Sequence, residues 1–216
     1  MTDTDPVLQP DWVAPTRTAL LLIDMQEDFG GPGGKMAERG MDMTAPQTAL
    51  DRAAVLLAVA RAAGVAVIFV RYLSRPGTET HIAREAKARR DKDEPDLCVD
   101  GTPGADFIGP RPLSDDEVVS KFRFSAFTRT GLAEQLHARG LDTLVLCGLT
   151  TECCIAASAW EAFERDFHVF VAADACAAYE EDLHQSALKA LRLSGATVAV
   201  VADYRRAWNT FDKTTA

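Results

Sequence analysis

The chain contains the stretch Leu144-Val-Leu-Cys-Gly-Leu-Thr-Thr-Glu-Cys-Cys-Ile-Ala-Ala-Ser-Ala-Trp-Glu-Ala162, in which an apolar run passes into a helix signal. The first four residues are apolar and precede Gly148, which is typical of a buried strand that ends at the glycine. Thr151 is a suitable N-cap and Glu152 favours a first helical turn. Cys154 then lies where unpaired N–H groups and the helix dipole favour a thiolate. The stretch therefore predicts a nucleophile elbow built on sulfur.

Further apolar runs on both sides of this unit alternate with helix signals. The predicted strands cover 18–24, 65–70, 117–120, 141–147, 167–172 and 196–201. The predicted helices cover 44–63, 81–90, a segment from 128 or 130 to 138, the helix of Cys154, 179–193 and 204–208. Because strands and helices alternate throughout, we expect an α/β fold: a three-layer α/β/α arrangement around a six-stranded, mostly parallel, Rossmann-like sheet.

Composition and charge limit the possible function classes. The 216 residues suit a single domain over 1–216. A net charge of -9 argues against nucleic-acid and anionic-membrane partners, and no apolar run approaches the ~20 residues of a membrane span. The acidic N-terminus lacks the apolar core of a secretory signal, and an odd number of cysteines indicates reduced thiols. A cytoplasmic protein is therefore expected.

Three segments fall outside this alternation. Residues 1–16 contain several prolines and are predicted to form an extended N-terminal arm. Residues 71–116 are polar and charge-rich, and so long a connection is usually functional, so a lid or specificity segment is expected. The run Gly30-Gly-Pro-Gly-Gly34 is a poor phosphate loop, since no helix is expected directly after it and Lys35 is followed by Met36. A flexible loop at the edge of the pocket is the favoured interpretation.

Two charged residues follow predicted strands in the same way as the cysteine. Asp24 comes directly after the first strand and Lys121 after the third. Since the carboxyl ends of parallel strands meet at one edge, Asp24, Lys121 and Cys154 are expected to lie together. The carboxylate can take the thiol proton and return it to a leaving amine, and the ammonium is expected to lower the pKa of both groups. Either charged residue alone is also compatible with a cap or a solvated surface.

Three motifs in this order resemble the isochorismatase-like cysteine hydrolases. They are Leu22-Ile-Asp-Met-Gln-Glu-Asp-Phe29, Val119-Ser-Lys-Phe-Arg-Phe-Ser-Ala-Phe127 and Gly148-Leu-Thr-Thr-Glu-Cys-Cys-Ile155. The resemblance covers the chain from about Thr18 to Val201. It implies a six-stranded parallel sheet, a catalytic triad of Asp24, Lys121 and Cys154, a homodimer or homotetramer, and no cofactor.

The resemblance also implies a cis peptide bond between Leu149 and Thr150. Its expected role is to turn the Thr150 N–H into the site beside that of Cys154, which would form an oxyanion hole. Position relative to the motifs alone makes four residues candidate substrate contacts: Phe29, Arg71, Tyr72 and Phe127.

Metal binding is not predicted. Nicotinamidase-like members of the family carry an Asp-x-His metal motif after the second strand, whereas this chain reads Arg71-Tyr-Leu-Ser-Arg-Pro76 there. The four histidines show no metal-ligand spacing. Nicotinamidase activity is therefore not expected.

The resemblance favours a metal-independent amidohydrolase that cleaves a C–N bond of a small amide, ureide or carbamoyl compound through a thioester on Cys154. One alternative is hydrolysis of the vinyl ether of an isochorismate-like acid. Another is a non-catalytic member of the fold that binds a ligand or senses thiol oxidation. Cys153 is interpreted as a small packing residue, and Cys98, Cys147 and Cys176 as structural or core thiols.

Overall fold

A computed structural model describes residues 7–90 and 96–211. Parts of the predicted arm (1–6) and lid segment (91–95) thus lie outside the described residues. Six parallel strands form one sheet in the order β3-β2-β1-β4-β5-β6. They are β1 (Thr18–Ile23), β2 (Ala66–Tyr72), β3 (Glu117–Lys121), β4 (Thr143–Leu149), β5 (His168–Ala177) and β6 (Thr197–Ala199).

Eight helices accompany the sheet. They are α1 (Glu27–Gly30), α2 (Lys35–Glu38), α3 (Thr44–Ala62), α4 (His81–Arg90), α5 (Leu132–Ala138), α6 (Ala156–Glu164), α7 (Glu181–Leu193) and α8 (Val201–Trp208), within the described ranges. Helix α3 packs with α8, and α6 packs with α7. The predicted α/β fold with a six-stranded parallel sheet is confirmed. None of the helices described is both long and apolar enough to cross a membrane.

The centre of the sheet explains where a site is found. Every residue of β1 and of β4 is buried, as expected for parallel strands that are covered on both faces. The chain moves from β1 outward to β2 and β3, then returns to the other side of β1 to form β4, β5 and β6. The carboxyl ends of β1 and β4 therefore flank the point where strand order reverses, which is where open α/β sheets bind ligands.

Strand β4 does not end at Gly148, contrary to the sequence prediction. It continues to Leu149, and Gly148 pairs with Ile23 on one side and Cys176 on the other. Gly148 has φ of 134°, and a Cβ there would lie 1.9 Å from the carbonyl oxygen of Ile23. The glycine thus allows β4 to approach β1 closely, rather than interrupting the strand.

The helix after β4 begins differently from the prediction. Thr150, and not Thr151, occupies the N-cap position. Residues Thr151–Ile155 form a π-helical turn, and the α-helix α6 starts at Ala156. Such π-turns are frequent at functional sites. Cys154 still lies in the first helical turn after β4, as the nucleophile-elbow interpretation requires.

The glycine-rich run lies between two short helices that the sequence did not predict. Helix α2 begins at Lys35, so the expectation that no helix follows the glycines was wrong. Gly34 is buried, and a Cβ there would lie 1.9 Å from the carbonyl oxygen of Glu27. Close packing against α1, rather than a need for flexibility, therefore explains a glycine at this position.

The described part of the N-terminal arm is packed rather than extended. Residues Pro10–Val13 form a 3-10 turn, and Val13 is fully buried. The indole N–H of Trp208 donates to the Val13 carbonyl oxygen at 2.8 Å. The arm from residue 7 onward thus joins α8, which corrects the sequence expectation.

The lid segment lies against the carboxyl ends of β1 to β3. Ser74 pairs with Val99 in an isolated parallel bridge. Three buried residues of the segment form a small apolar cluster with Tyr72 at the end of β2 and with two residues of the motifs. The three are Leu73, Cys98 and Ala105, and the motif residues are Phe29 and Phe122. Helix α4 of the same segment has no buried residue. The inner part of the segment therefore covers the sheet edge, while α4 extends away from the core.

Candidate active site

The three candidate catalytic residues lie at one edge of the sheet. Asp24 directly follows β1, Lys121 is the last residue of β3, and Cys154 lies in the turn after β4. Asp24 has φ of 54° and its N–H donates to the Val70 carbonyl oxygen at 2.8 Å, which turns the chain sharply at the end of β1. The side chain of Lys121 spans the width of β2 to reach Asp24.

The Lys121 ammonium connects the other two residues. Its Nζ lies 2.6 Å from Asp24 Oδ2, and both side chains are completely buried. The same Nζ donates to Cys154 Sγ at 3.4 Å and to the Arg123 carbonyl oxygen at 3.0 Å. An ammonium has three hydrogens, so each of them has a partner here. The structure thus brings together the residues that the sequence identified.

The electrostatics of the Asp24–Lys121 pair reflect burial. Burial raises the pKa of the Asp24 carboxyl, and the Lys121 charge and hydrogen bonds lower it without reversing the shift. Burial lowers the pKa of Lys121. The charges of Asp24 and Cys154 raise it by a larger amount, so the net pKa lies above the ordinary lysine value. Lys121 therefore stays an ammonium at neutral pH.

The surroundings of the Cys154 thiol raise its pKa. The neighbouring Cys153 thiol, burial and the Asp24 charge raise the pKa of Cys154 well above its usual value, while Lys121 opposes them. Lys121 lowers the pKa of both Asp24 and Cys154, as the sequence predicts, but the net shift of each is upward. Burial outweighs the ammonium at Asp24, and the hydrogen bond with Cys153 together with burial outweighs it at Cys154.

The peptide between Leu149 and Thr150 is cis in the structure. Leu149 is buried and packs with Ala49, Ala177 and Phe29. The Thr150 hydroxyl donates to Glu152 Oε1 at 2.8 Å. The bond therefore joins the last residue of β4 to the N-cap of the turn that carries Cys154.

Two of the four candidate substrate contacts lie near the triad. The Tyr72 ring centroid is 5.4 Å from Lys121 Nζ, and the Phe29 and Tyr72 rings are 6.3 Å apart. Arg71 precedes Tyr72 in β2, so its side chain leaves the opposite face of the sheet, and its Nε donates to Ser120 Oγ at 3.0 Å. Phe29 and Tyr72 thus remain candidates, whereas Arg71 is directed away from the triad.

Phe127 is a core residue, which corrects the prediction that it lines the pocket. It is 2% exposed, and its ring stacks on Phe167 with centroids 5.7 Å apart. Phe167 precedes β5 and so lies at the opposite end of the sheet from the strand ends that carry the triad.

Gln26 is a buried residue of the first motif whose role sequence reasoning missed. Its Nε2 donates to the carbonyl oxygens of Tyr72 and Ala105, each at 2.9 Å, and its Oε1 accepts from the Tyr72 N–H at 2.8 Å. It therefore fixes the carboxyl end of β2 and the lid segment relative to β1. Its position two residues after Asp24, within the first motif, was the available signal.

Asp28 fixes the lid segment from the same motif. Its Oδ2 accepts from the Cys98 N–H at 2.6 Å, and its Oδ1 accepts from the Lys35 N–H at 3.1 Å. Cys98 is fully buried, and burial raises the pKa of its thiol. Cys98 thus has the structural place that the sequence suggested.

Metal-ligating side chains are not clustered in the part of the chain that the structure describes. Across residues 7–90 and 96–211 there is no group of three or more histidine, cysteine, aspartate or glutamate residues arranged to hold a metal ion.

Comparison with known proteins yields one family and close relatives. The model of the isochorismatase domain matches residues 18–203. Ureidoacrylate amidohydrolase RutB of Azorhizobium caulinodans is 30% identical over 93% of this chain and 94% of its own. Maleamate amidohydrolase of Pseudomonas putida is 34% identical over 80% of this chain and 78% of its own. The crystal structure of a cysteine hydrolase from Pseudomonas syringae has a TM-score of 0.82 at 26% identity, covering 98% of this chain and 100% of that one.

Proposed function

Because the chain belongs to the isochorismatase family of hydrolases, we propose that it is a cysteine amidohydrolase that needs no metal ion. Its substrate is a small amide, ureide or carbamoyl compound, in line with relatives named for ureidoacrylate and maleamate. The observation that carries the proposal is the buried ammonium of Lys121, 2.6 Å from Asp24 and 3.4 Å from Cys154. In this proposal Cys154 is the nucleophile, Asp24 the base and Lys121 the cation of one buried cluster.

In the first half of the reaction, Asp24 takes the proton of the Cys154 thiol, and the sulfur attacks the carbonyl carbon. A base is needed because the raised pKa of Cys154 keeps the thiol protonated. Lys121 stabilises the sulfur as it becomes negative. The oxyanion binds the backbone N–H groups of Thr150 and Cys154. The C–N bond breaks, Asp24 returns the proton, and ammonia or an amine leaves a thioester on Cys154.

In the second half, water hydrolyses the thioester. Asp24, again ionised, takes a proton from the water, and the hydroxide adds to the thioester carbonyl. The C–S bond breaks, the proton returns to the sulfur, and the acid product leaves. Asp24 therefore acts as base and acid in each half, while Lys121 stays charged.

A substrate panel tests the proposal against its alternatives. We expect amides and ureides to release ammonia at an unchanged rate after treatment with a chelator, and isochorismate to release no pyruvate. Pyruvate release without ammonia would instead identify a vinyl-ether hydrolase. Binding of panel compounds without any turnover would identify a non-catalytic member of the fold.

The pH dependence of kcat/KM follows from the raised pKa of Asp24. The reaction requires the ionised carboxylate, so kcat/KM falls about tenfold per pH unit as the pH drops below that pKa. Burial raises this pKa, so the decline begins at a higher pH than an ordinary aspartate, with a pKa of 3.8, would give. Rates of a panel substrate between pH 4 and 9 check this. A profile that stays flat down to pH 4 would contradict a base with a raised pKa.

The segment 71–116 is proposed to act as a lid that sets specificity. Its inner residues already pack on Phe29 and Tyr72, beside the triad. Gln26 and Asp28 hold this part of the segment by hydrogen bonds from the first motif. A homodimer or homotetramer, as the family resemblance implies, stays a prediction.

A further inference from the structure

Glu152 carries a buried carboxylate oxygen that the reaction above does not use. It lies two residues before Cys154 in the same π-helical turn. Its Oε1 accepts a hydrogen bond from the Thr150 hydroxyl at 2.8 Å. Its Oε2 is shielded from solvent and has no hydrogen-bond partner among the described residues. Burying a carboxylate oxygen without a hydrogen-bond donor costs free energy, and a donor that binds to it removes this cost.

The Glu152 carboxylate lies beside the turn that carries Cys154. Its hydrogen bond with the Thr150 hydroxyl holds it at the start of that turn. Tyr179 follows the carboxyl end of β5, and its hydroxyl donates to the Phe29 carbonyl oxygen at 2.8 Å. Burial raises the pKa of the Tyr179 phenol, and the charges of Glu152, Cys98, Cys154 and Cys153 raise it further.

The polar side chains around Glu152 are already engaged. The Thr150 hydroxyl donates to Oε1, and the Tyr179 hydroxyl donates to Phe29. His184 Nδ1 lies 2.8 Å from the Thr151 hydroxyl oxygen, with which it shares a hydrogen bond. These side chains therefore leave Oε2 without a donor among the described residues, and a substrate bound beside Cys154 can supply one.

We propose that Glu152 determines substrate specificity, because its Oε2 accepts a hydrogen bond from an N–H group that flanks the scissile carbonyl. This inference rests on the proposed function. A ureide or carbamoyl compound retains such an N–H on the side away from the leaving group. A simple amide has a CH2 group there and would leave Oε2 unpaired, which a site built for a donor rejects. A carboxylate at the same place would be repelled by Glu152.

Two activated probes that differ only at this position test the proposal. They are para-nitrophenyl N-methylcarbamate, with NH beside the carbonyl, and para-nitrophenyl propanoate, with CH2. In each, the Cys154 sulfur bonds to the carbonyl carbon, the bond to the aryl oxygen breaks, and coloured nitrophenolate leaves with the electron pair. Glu152→Gln keeps the side-chain size and an oxygen for Thr150. We expect it to lower the carbamate-to-ester ratio of acylation rate constants about tenfold to hundredfold, the range for losing a hydrogen bond to a charged acceptor.

Controls separate this inference from the function on which it rests. Thr150→Val removes the hydroxyl that holds Glu152 in place, and we expect it to lower the carbamate-to-ester ratio in the same direction as Glu152→Gln but by less, because the carboxylate itself remains. If Glu152→Gln leaves the ratio unchanged or raises it while Cys154 is acylated, the specificity role is wrong. If nitrophenolate release is the same in the parent and in Cys154→Ala, the nucleophile assignment itself fails.

Discussion

Replacing Cys154 with alanine is expected to lower kcat/KM for amide hydrolysis about 10⁴-fold or more, the scale on which loss of a nucleophile acts in other hydrolases. The expectation follows from geometry, because Cys154 Sγ is the atom that faces the buried ammonium of Lys121 at 3.4 Å. Without the sulfur no thioester forms, and Asp24 has no proton to take. The measurement is ammonia release, together with the mass of the intact protein after brief incubation with substrate.

The adjacent thiol provides a matched control. Cys153 is half-buried, and its contact with Cys154 lowers its own pKa. Cys153→Ala removes a single hydrogen bond, so we expect it to change kcat/KM by less than about tenfold. The acyl adduct should appear in the parent and in Cys153→Ala, and be absent from Cys154→Ala. The opposite pattern, in which only Cys153→Ala is inactive, would move the nucleophile by one residue.

The triad was accessible from sequence because its members are defined by local context. Two local patterns indicate that a residue lies at the end of a strand. One is a charged residue directly after an apolar run, and the other is a cysteine that follows a strand and a glycine. Parallel topology then brings strand ends together, whatever the intervening segments do. Asp24, Lys121 and Cys154 lie within contact of one another for this reason.

Features that depend on contacts between distant segments were not accessible in this way. Gly148 was predicted to end the strand. In the structure a glycine is needed there because the backbone of Ile23 on β1 leaves no room for a side chain. Phe127 was assigned to the pocket from its place in a motif, yet stacking on Phe167 fixes it in the core. A motif records the order of residues and gives no direction for each side chain.

The sign of the pKa shifts was missed for a related reason. A helix N-terminus and a lysine suggested a lowered thiol pKa, but the extent of burial is a property of the packed molecule. Loss of solvation at Asp24, and the Cys153 hydrogen bond together with loss of solvation at Cys154, outweigh the effect of Lys121. The upward shift strengthens the need for a base, which the sequence had already assigned to Asp24.

The Asp24–Lys121 pair is expected to support both stability and activity, and the two effects are separable. Asp24→Asn leaves a completely buried ammonium without its counter-charge, which lowers the free energy of unfolding by about 3–5 kcal/mol. Hydrolysis is lost as well, since an amide cannot accept the thiol proton. Lys121→Met leaves the carboxylate unpaired, and the already raised pKa of Asp24 allows that group to be protonated instead. The cost of this variant should therefore be smaller.

The double variant Asp24→Asn, Lys121→Met decides whether the charges act as a unit. With both charges removed, the destabilisation should be clearly less than the sum of the two single variants, while activity stays absent. Asp142→Asn serves as the control, because the Arg17–Asp142 pair is as short, at 2.7 Å, but its side chains are 38% and 43% exposed. An exposed pair of this kind contributes about 0–1 kcal/mol. Denaturant unfolding and ammonia release measure the two effects, and a cost for Asp24→Asn no larger than that for Asp142→Asn would show that the buried pair does not stabilise the site.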